Sequence, residues 1–144
     1  MDDIVTTLRP TLKHLPWHIT IEVPSGLHCD SYPGPLGQVI SNLIQNAMLH
    51  AFTGRHQGNL RISASARSNG EIEMSFDDNG IGMSPAVLAR IFDPFFTTRL
   101  GSGGSGLGLS VSHNIAIGVL GGSLSARSHL GQGSSFILTF AAHA

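Results

Sequence analysis

Apolar positions along this chain recur at two spacings, one helical and one alternating. The helical spacing is strongest from Leu36 to Phe52. Leu36, Val39, Ile40, Leu43, Ile44, Ala47, Met48 and Ala51 form an i, i+3, i+4 stripe that should face a core. Asn42, Asn46 and His50 step by four along its margin as one polar row. A second long helix is expected from Leu107 to Leu120, stopped by Gly121-Gly122. Two weaker helices are expected. One covers residues 3–14, with Ile4, Val5, Leu8 and Leu12 in register and Pro10 interrupting. The other opens on Ser84-Pro85, a cap followed by proline at the first helical position, and ends near Phe92.

The alternating spacing marks strands. His18 to Val23 puts Ile19, Ile21 and Val23 on one face, and Leu27 to Asp30 reads as a short return strand after the turn at Pro24-Ser-Gly26. Pro33, Gly34 and Pro35 punctuate the chain before the long helix, and residues 53–58 read as a loop. Leu60, Ile62, Ala64 and Ala66 alternate, a turn falls at Ser68-Asn69-Gly70, and Glu71 to Asp78 pairs back as a hairpin. Ser123 to Ser128 and Ser134 to Ala141 make a final hairpin around Gly131-Gln-Gly133. Residues 93–105 show no period, and a loop of that length in a compact domain is usually functional or mobile.

Length and composition narrow this to one globular domain over residues 1–144, without internal repeats. Hydrophobic residues make up 41% and charged ones 12%, and the net charge of −1 gives no support for nucleic-acid binding. The distribution is more telling. All the acids lie at or before Asp93, and beyond it the only basic side chains of the Lys/Arg type are Arg99 and Arg127. Such a half would tolerate a polyanion such as a triphosphate. Cys29 is alone, which excludes an internal disulfide and points to a reducing compartment. No apolar run approaches the ~20 residues of a membrane helix, and Met1 is followed by two acids rather than a signal peptide.

Strand register picks out one carboxylate. Ile72, Met74 and Phe76 alternate with Glu71, Glu73 and Ser75, so Asp78 continues the buried face and Asp77 the wet one. A buried carboxylate needs hydrogen-bond donors. An exocyclic amine such as adenine N6 is one candidate, and the backbone amides of the following Asn79-Gly80 turn are another. Gly80 and Gly82 would let a flat ring approach the backbone.

The cluster Gly101-Ser-Gly-Gly-Ser-Gly-Leu-Gly-Leu109 also fits G-x-G-x-x-G. A dinucleotide fingerprint would follow a strand and be answered by an acid about 20 residues on, and no acid lies there. A Walker loop would need a lysine, and the only one is Lys13. Free N–H groups at a helix N-terminus receiving phosphate oxygens survive both exclusions; a merely flexible loop is the alternative. Phe92, Phe95 and Phe96 are either a small satellite core or a latch that orders on a ligand. Asn42 and Asn46 offer amide oxygens to Mg²⁺, or are plain solvated residues. The eight histidines show no ligand spacing, and most read as surface or loop residues.

Four blocks in this order resemble the ATP-binding catalytic domain of bacterial sensor histidine kinases, in the superfamily shared with gyrase, Hsp90 and MutL. Asn42-Leu-Ile-Gln-Asn46-Ala-Met-Leu-His50 is similar to the N box and Asp78-Asn-Gly-Ile-Gly82 to the G1 box. Phe92-Asp-Pro-Phe-Phe96 is similar to the F box, and Gly104-Ser-Gly-Leu-Gly-Leu109 to the G2 box. The match runs from about Trp17 to Phe140.

The resemblance implies an α/β two-layer sandwich of the Bergerat type: a mixed, largely antiparallel sheet with helices on one face and a lid loop. ATP and Mg²⁺ are the implied ligands. Asp78 would accept the adenine amine, Gly80 and Gly82 would make room for the base, and Asn46 would hold Mg²⁺ with Asn42 supporting it. Gly104, Gly106 and Gly108 would line the phosphates, flanked by Leu107 and Leu109. Phe92 and Phe95 would belong to the nucleotide-facing loop, with residues 93–105 as the lid. His50 completes the N box.

Departures refine this expectation. Hydrolytic members carry glutamate where this chain has Asn42, which favours transfer of the γ-phosphoryl group over hydrolysis. Many histidine kinases have lysine at the position of Leu49, and Arg99 is the candidate replacement. No histidine is followed by the acid and proline of an acceptor motif. The phosphoacceptor and dimerisation domain is therefore expected outside this chain, with Met1 at a truncation. The implied partners are that histidine domain and a response regulator. The implied location is cytoplasmic, with a membrane reached only through a larger parent. A nucleotide-gated interaction module without catalysis and an anti-sigma-type serine kinase are the alternatives.

Overall fold

The structure, a computed structural model, describes residues 2–3, 18–23, 28–29, 33–46, 59–67, 69–94 and 108–141. Five strands form one sheet in the order β2-β4-β5-β7-β6: β2 His18–Glu22, β4 Asn59–Ala66, β5 Glu71–Asp78, β6 Ser123–His129 and β7 Gly133–Ala141. β2 and β4 run parallel, with Ile19 beside Leu60, and the other pairs are antiparallel. The sheet is thus mixed and largely antiparallel, as expected. Two-residue strands β1 (Asp2–Asp3) and β3 (His28–Cys29) pair with each other in a separate small sheet.

Alternation places each strand. β5 follows a strict half-buried/buried pattern, with Ile72, Met74, Phe76 and Asp78 inward and Glu71, Glu73, Ser75 and Asp77 outward. Against this inner face lie helix α1 (Pro33–Asn46) and helix α3 (Gly108–Gly118). α1 contributes Leu36, Val39, Ile40, Leu43 and Ile44, and Ala116 of α3 joins them. Phe76, Phe136, Leu138 and Phe140 fill the sheet side. Burying each such apolar side chain contributes roughly 1.5–3 kcal/mol, so the one-sided stripe is what holds the helices to the sheet. Both long helices lie on this one face; the outer face carries Arg61, which is paired with Glu22, and serines.

Several boundaries differ from the sequence reading. Pro33 and Pro35 lie inside the first turn of α1 instead of preceding it. The first turn has no intrahelical acceptor for its N–H groups, so proline costs nothing there. The expected extension of α1 to Phe52 lies outside the described residues. Asp3, expected to open a helix, is in a strand, and the rest of that helix is not among the described residues. His28–Cys29 pairs with Asp2–Asp3 and does not return along β2.

The short helix α2 covers only Pro85–Leu88. Its cap is as expected: the Ser84 hydroxyl accepts the Val87 N–H at 3.2 Å. Beyond it the chain tightens into turns, with Arg90 N–H reaching the Val87 carbonyl. α3 stops at Gly118, two residues short of Leu120, and Gly121 then takes a φ of +69° that turns the chain into β6. Among the described residues, no helix is long and apolar enough to cross a membrane.

Candidate functional site

Asp78 ends β5 on the inner face, 9% exposed. Its Oδ1 accepts the N–H of Gly80 at 2.9 Å and the N–H of Ser134, its neighbour on β7, at 3.2 Å. One of the two sequence-level candidates is therefore present, since the turn after Asp78 does supply a backbone amide. The second amide comes from a strand 56 positions away, which no local reading shows. Both bonds end on the same oxygen.

The loop after Asp78 is held from both sides. Asn79 Oδ1 accepts the Asn59 N–H at 2.9 Å, tying the loop to the start of β4. On the other side the β6–β7 hairpin grips it. Met83 N–H donates to Ser128 Oγ at 2.7 Å, and Gly131 N–H donates to the Ile81 carbonyl at 2.7 Å. The Ser128 hydroxyl in turn bonds the Gly133 carbonyl and lies 2.8 Å from Ser134 Oγ.

Two glycines make that approach possible. Gly82 has a φ of +72°, and a methyl there would stand 2.7 Å from the His129 carbonyl carbon and nearer still to its oxygen. Gly133 has a φ of +93°, and a methyl would come within 3.0 Å of Asn79 Cα and closer to the Asp78 carbonyl oxygen. By sequence Gly82 reads as space for a flat ring; the neighbour that requires glycine in this structure is the hairpin backbone. Ser128, Gly133 and Ser134 are contacts to Asp78 and its loop that sequence reasoning misses. The only local signal is the Gly131-Gln-Gly133 turn, whose second glycine proves to be the contact point.

Asn42 and Asn46 lie one turn apart near the end of α1, both half-buried. The Asn42 amide is engaged on both sides. Its Oδ1 accepts Gln38 Nε2 at 2.8 Å, while Nδ2 donates to Ser112 Oγ at 2.9 Å and to the Gly108 carbonyl at 3.2 Å. Asn42 thus fastens α1 to the first turn of α3, where the glycine cluster ends at Gly108 and Leu109. Leu109 is half-buried against the core.

Phe92 stacks on His113 of α3, with ring centroids 4.9 Å apart and planes 23° apart, and meets Phe136 edge-on at 6.5 Å. Of the two sequence-level readings of the phenylalanines, the anchoring one describes this ring. His50, Phe95, Arg99, Gly104, Gly106 and Leu107 lie outside the described residues, as do Leu49 and most of the 93–105 loop.

With this geometry in view, the chain can be set beside known proteins. Residues 32–144 match the family described as histidine kinase-, DNA gyrase B- and HSP90-like ATPase. The chain is 43% identical over 106 residues to the two-component sensor PprA of Pseudomonas aeruginosa, covering 72% of this chain and 11% of that one. It is 40% identical over 121 residues to the sensor protein TorS of Escherichia coli, covering 83% and 12%. The full-length ShkA crystal structure in complex with AMPPNP superposes with a TM-score of 0.79 at 30% identity, over 99% of this chain and 31% of ShkA. The chain spans between 11% and 18% of the first three curated relatives it matches. By its matched residues, and by relatives above 30% identity over most of its length, this chain belongs to the histidine kinase-, DNA gyrase B- and HSP90-like ATPase family.

Proposed function

We propose that this chain is the ATP-binding catalytic domain of a bacterial sensor histidine kinase. It would bind Mg-ATP and pass the γ-phosphoryl group to a histidine on a separate phosphoacceptor domain, from which a response regulator would draw it. The observation that carries this reading is Asp78, a buried carboxylate aimed by two backbone amides on one oxygen, in a family whose relatives are named as two-component sensors.

The residues present suit the ligand. A buried carboxylate can accept an exocyclic amine, and the adenine amino group supplies one. Asn46 offers an amide oxygen at the end of α1, next to Asn42, which holds the first turn of α3. A hard Mg²⁺ that keeps several waters and takes further ligands from phosphates needs little more from the protein. Bound there, Mg²⁺ would neutralise charge on the transferring phosphoryl group. The chain's own part would be positioning: Asp78 would orient the base, Asn46 would hold the metal, and Gly104, Gly106 and Gly108 would let the backbone approach the phosphates. Asn42 carries no carboxylate to activate a water, which favours transfer to an acceptor over hydrolysis. Arg99 remains the candidate for a further phosphate contact, and His50 would complete the N box. The site would act in the cytoplasm, with or without a membrane-anchored parent.

Calorimetric titration of Mg-ADP into the wild type and Asp78→Asn tests the reading. The variant keeps an oxygen for the two backbone amides but loses a carboxylate oxygen, and affinity should fall by about 10–100-fold. Equal affinity in a folded variant removes Asp78 from adenine recognition.

A further inference from the structure

Two serines on α3 face inward: Ser110 is buried and Ser112 has no exposure at all, while Val111 and Ile117 of the same helix are exposed. A hydroxyl in the place of an apolar residue costs stability unless it is fully bonded. Ser112 is bonded in a directed way. Its Oγ–H donates to the Gly108 carbonyl one turn earlier at 2.8 Å, which leaves its lone pair to accept Asn42 Nδ2 at 2.9 Å. Gly108 O receives the second Asn42 N–H at 3.2 Å, and Gln38 Nε2 holds Asn42 Oδ1 from the other side. Donor and acceptor alternate without conflict from Gln38 through Asn42 and Ser112 to Gly108. The amide can therefore sit only one way round, with its nitrogen on α3.

We infer that Ser112, with Asn42, is a positioning pair that sets α1 and the first turn of α3 at a fixed separation, and so tunes the phosphate end of the site without touching its ligand. Asn46 lies one turn beyond Asn42 on α1, and Gly108 is where the glycine cluster enters α3. A shift between these two elements moves the metal-holding amide relative to the phosphate-facing backbone. The far end, at Asp78, is held separately by β4 and the β6–β7 hairpin. Loss of the pair should thus weaken phosphate binding and spare the base. This rests on the nucleotide-binding reading above.

The test compares two ligands on one set of folded proteins: Mg-ADP by calorimetry and adenosine by chemical-shift titration. Ser112→Ala should lower Mg-ADP affinity by about five- to tenfold, a typical loss for a hydrogen bond left unmade, and change adenosine affinity less than about twofold. Ser112→Cys, nearly the same size and a weak donor and acceptor, should recover part of the Mg-ADP loss; it also stands in if the alanine variant fails to fold. In an Asn42→Ala/Ser112→Ala double variant the two losses should be less than additive. Equal weakening of both ligands, no change in either, or strictly additive losses overturns the inference. A wild type that binds adenosine and Mg-ADP distinguishes that result from failure of the nucleotide reading, in which neither ligand binds the wild type and both proposals fall.

Discussion

Asp78 and Gly82 show how single residues acquire their constraints here. Asp78 is buried because the alternation of β5 carries it inward, and it is tolerated there because Gly80 and Ser134 donate to it. Gly82 combines a left-handed backbone with a neighbour that leaves no room for a methyl. Gly70 has the same sign of φ, +83°, but lies in open space. The pair separates the two costs. Gly70→Ala should lose about 1–2 kcal/mol for the backbone alone, whereas Gly82→Ala should lose roughly 2–4 kcal/mol as the hairpin is pushed off the loop. Urea unfolding of both variants measures the difference, and equal losses would mean that the contact with His129 yields freely.

At the scale of elements, the contacts that matter join pieces whose own patterns are incomplete. α2 has one well-made cap and no fully buried residue; Val87 and Leu88 pack half-buried against the core, and the residues just after it add to that hold. Ile91 is buried there, and Phe92 lays its ring between His113 and Phe136. Phe92→Ala should cost about 1–3 kcal/mol, less than a fully buried phenylalanine because the ring is only half covered. Its signature should be faster amide hydrogen exchange in α3 around His113, with β4 and β5 unchanged. Uniform acceleration through the sheet would contradict a local anchor. α3 itself is a poor amphipathic helix by sequence, with serines inward and Val111 and Ile117 outward. That inversion makes sense once Asn42 is seen beside Ser112.

For the molecule as a whole, the sheet with both long helices on one face leaves the residues proposed to bind nucleotide at the ends of elements: Asp78 closing β5, Asn46 closing the described part of α1, Gly108 opening α3. On the function proposed above, such a domain would hold the nucleotide and take its acceptor from a separate domain. Incubated with Mg-ATP and a separately prepared phosphoacceptor domain from a sensor kinase relative, it should yield acid-labile phosphohistidine on that domain. Asp78→Asn should reduce the yield by about tenfold or more, in line with its loss of nucleotide. Label on serine would move the reading to the anti-sigma-type kinases. Binding with no label at all would favour an interaction module.

Much of this architecture is legible in the sequence. The two hydrophobic periods locate α1 and the strands of the main sheet, and the Gly121-Gly122 stop marks the end of α3. The register of Ile72, Met74 and Phe76 separates buried Asp78 from outward Asp77. Those properties are local: a residue's face is set by its neighbours a few positions away, and hydrophobicity then buries one face. Tertiary structure alone decided the parallel seat of β2 on β4, the hairpin that grips the loop after Asp78, the glycine required at Gly133, and the bond from Asn42 to Ser112 across 70 positions. None of these leaves a periodic trace. Each depends on two distant backbones coming within hydrogen-bond or van der Waals reach, a distance that only the assembled core sets.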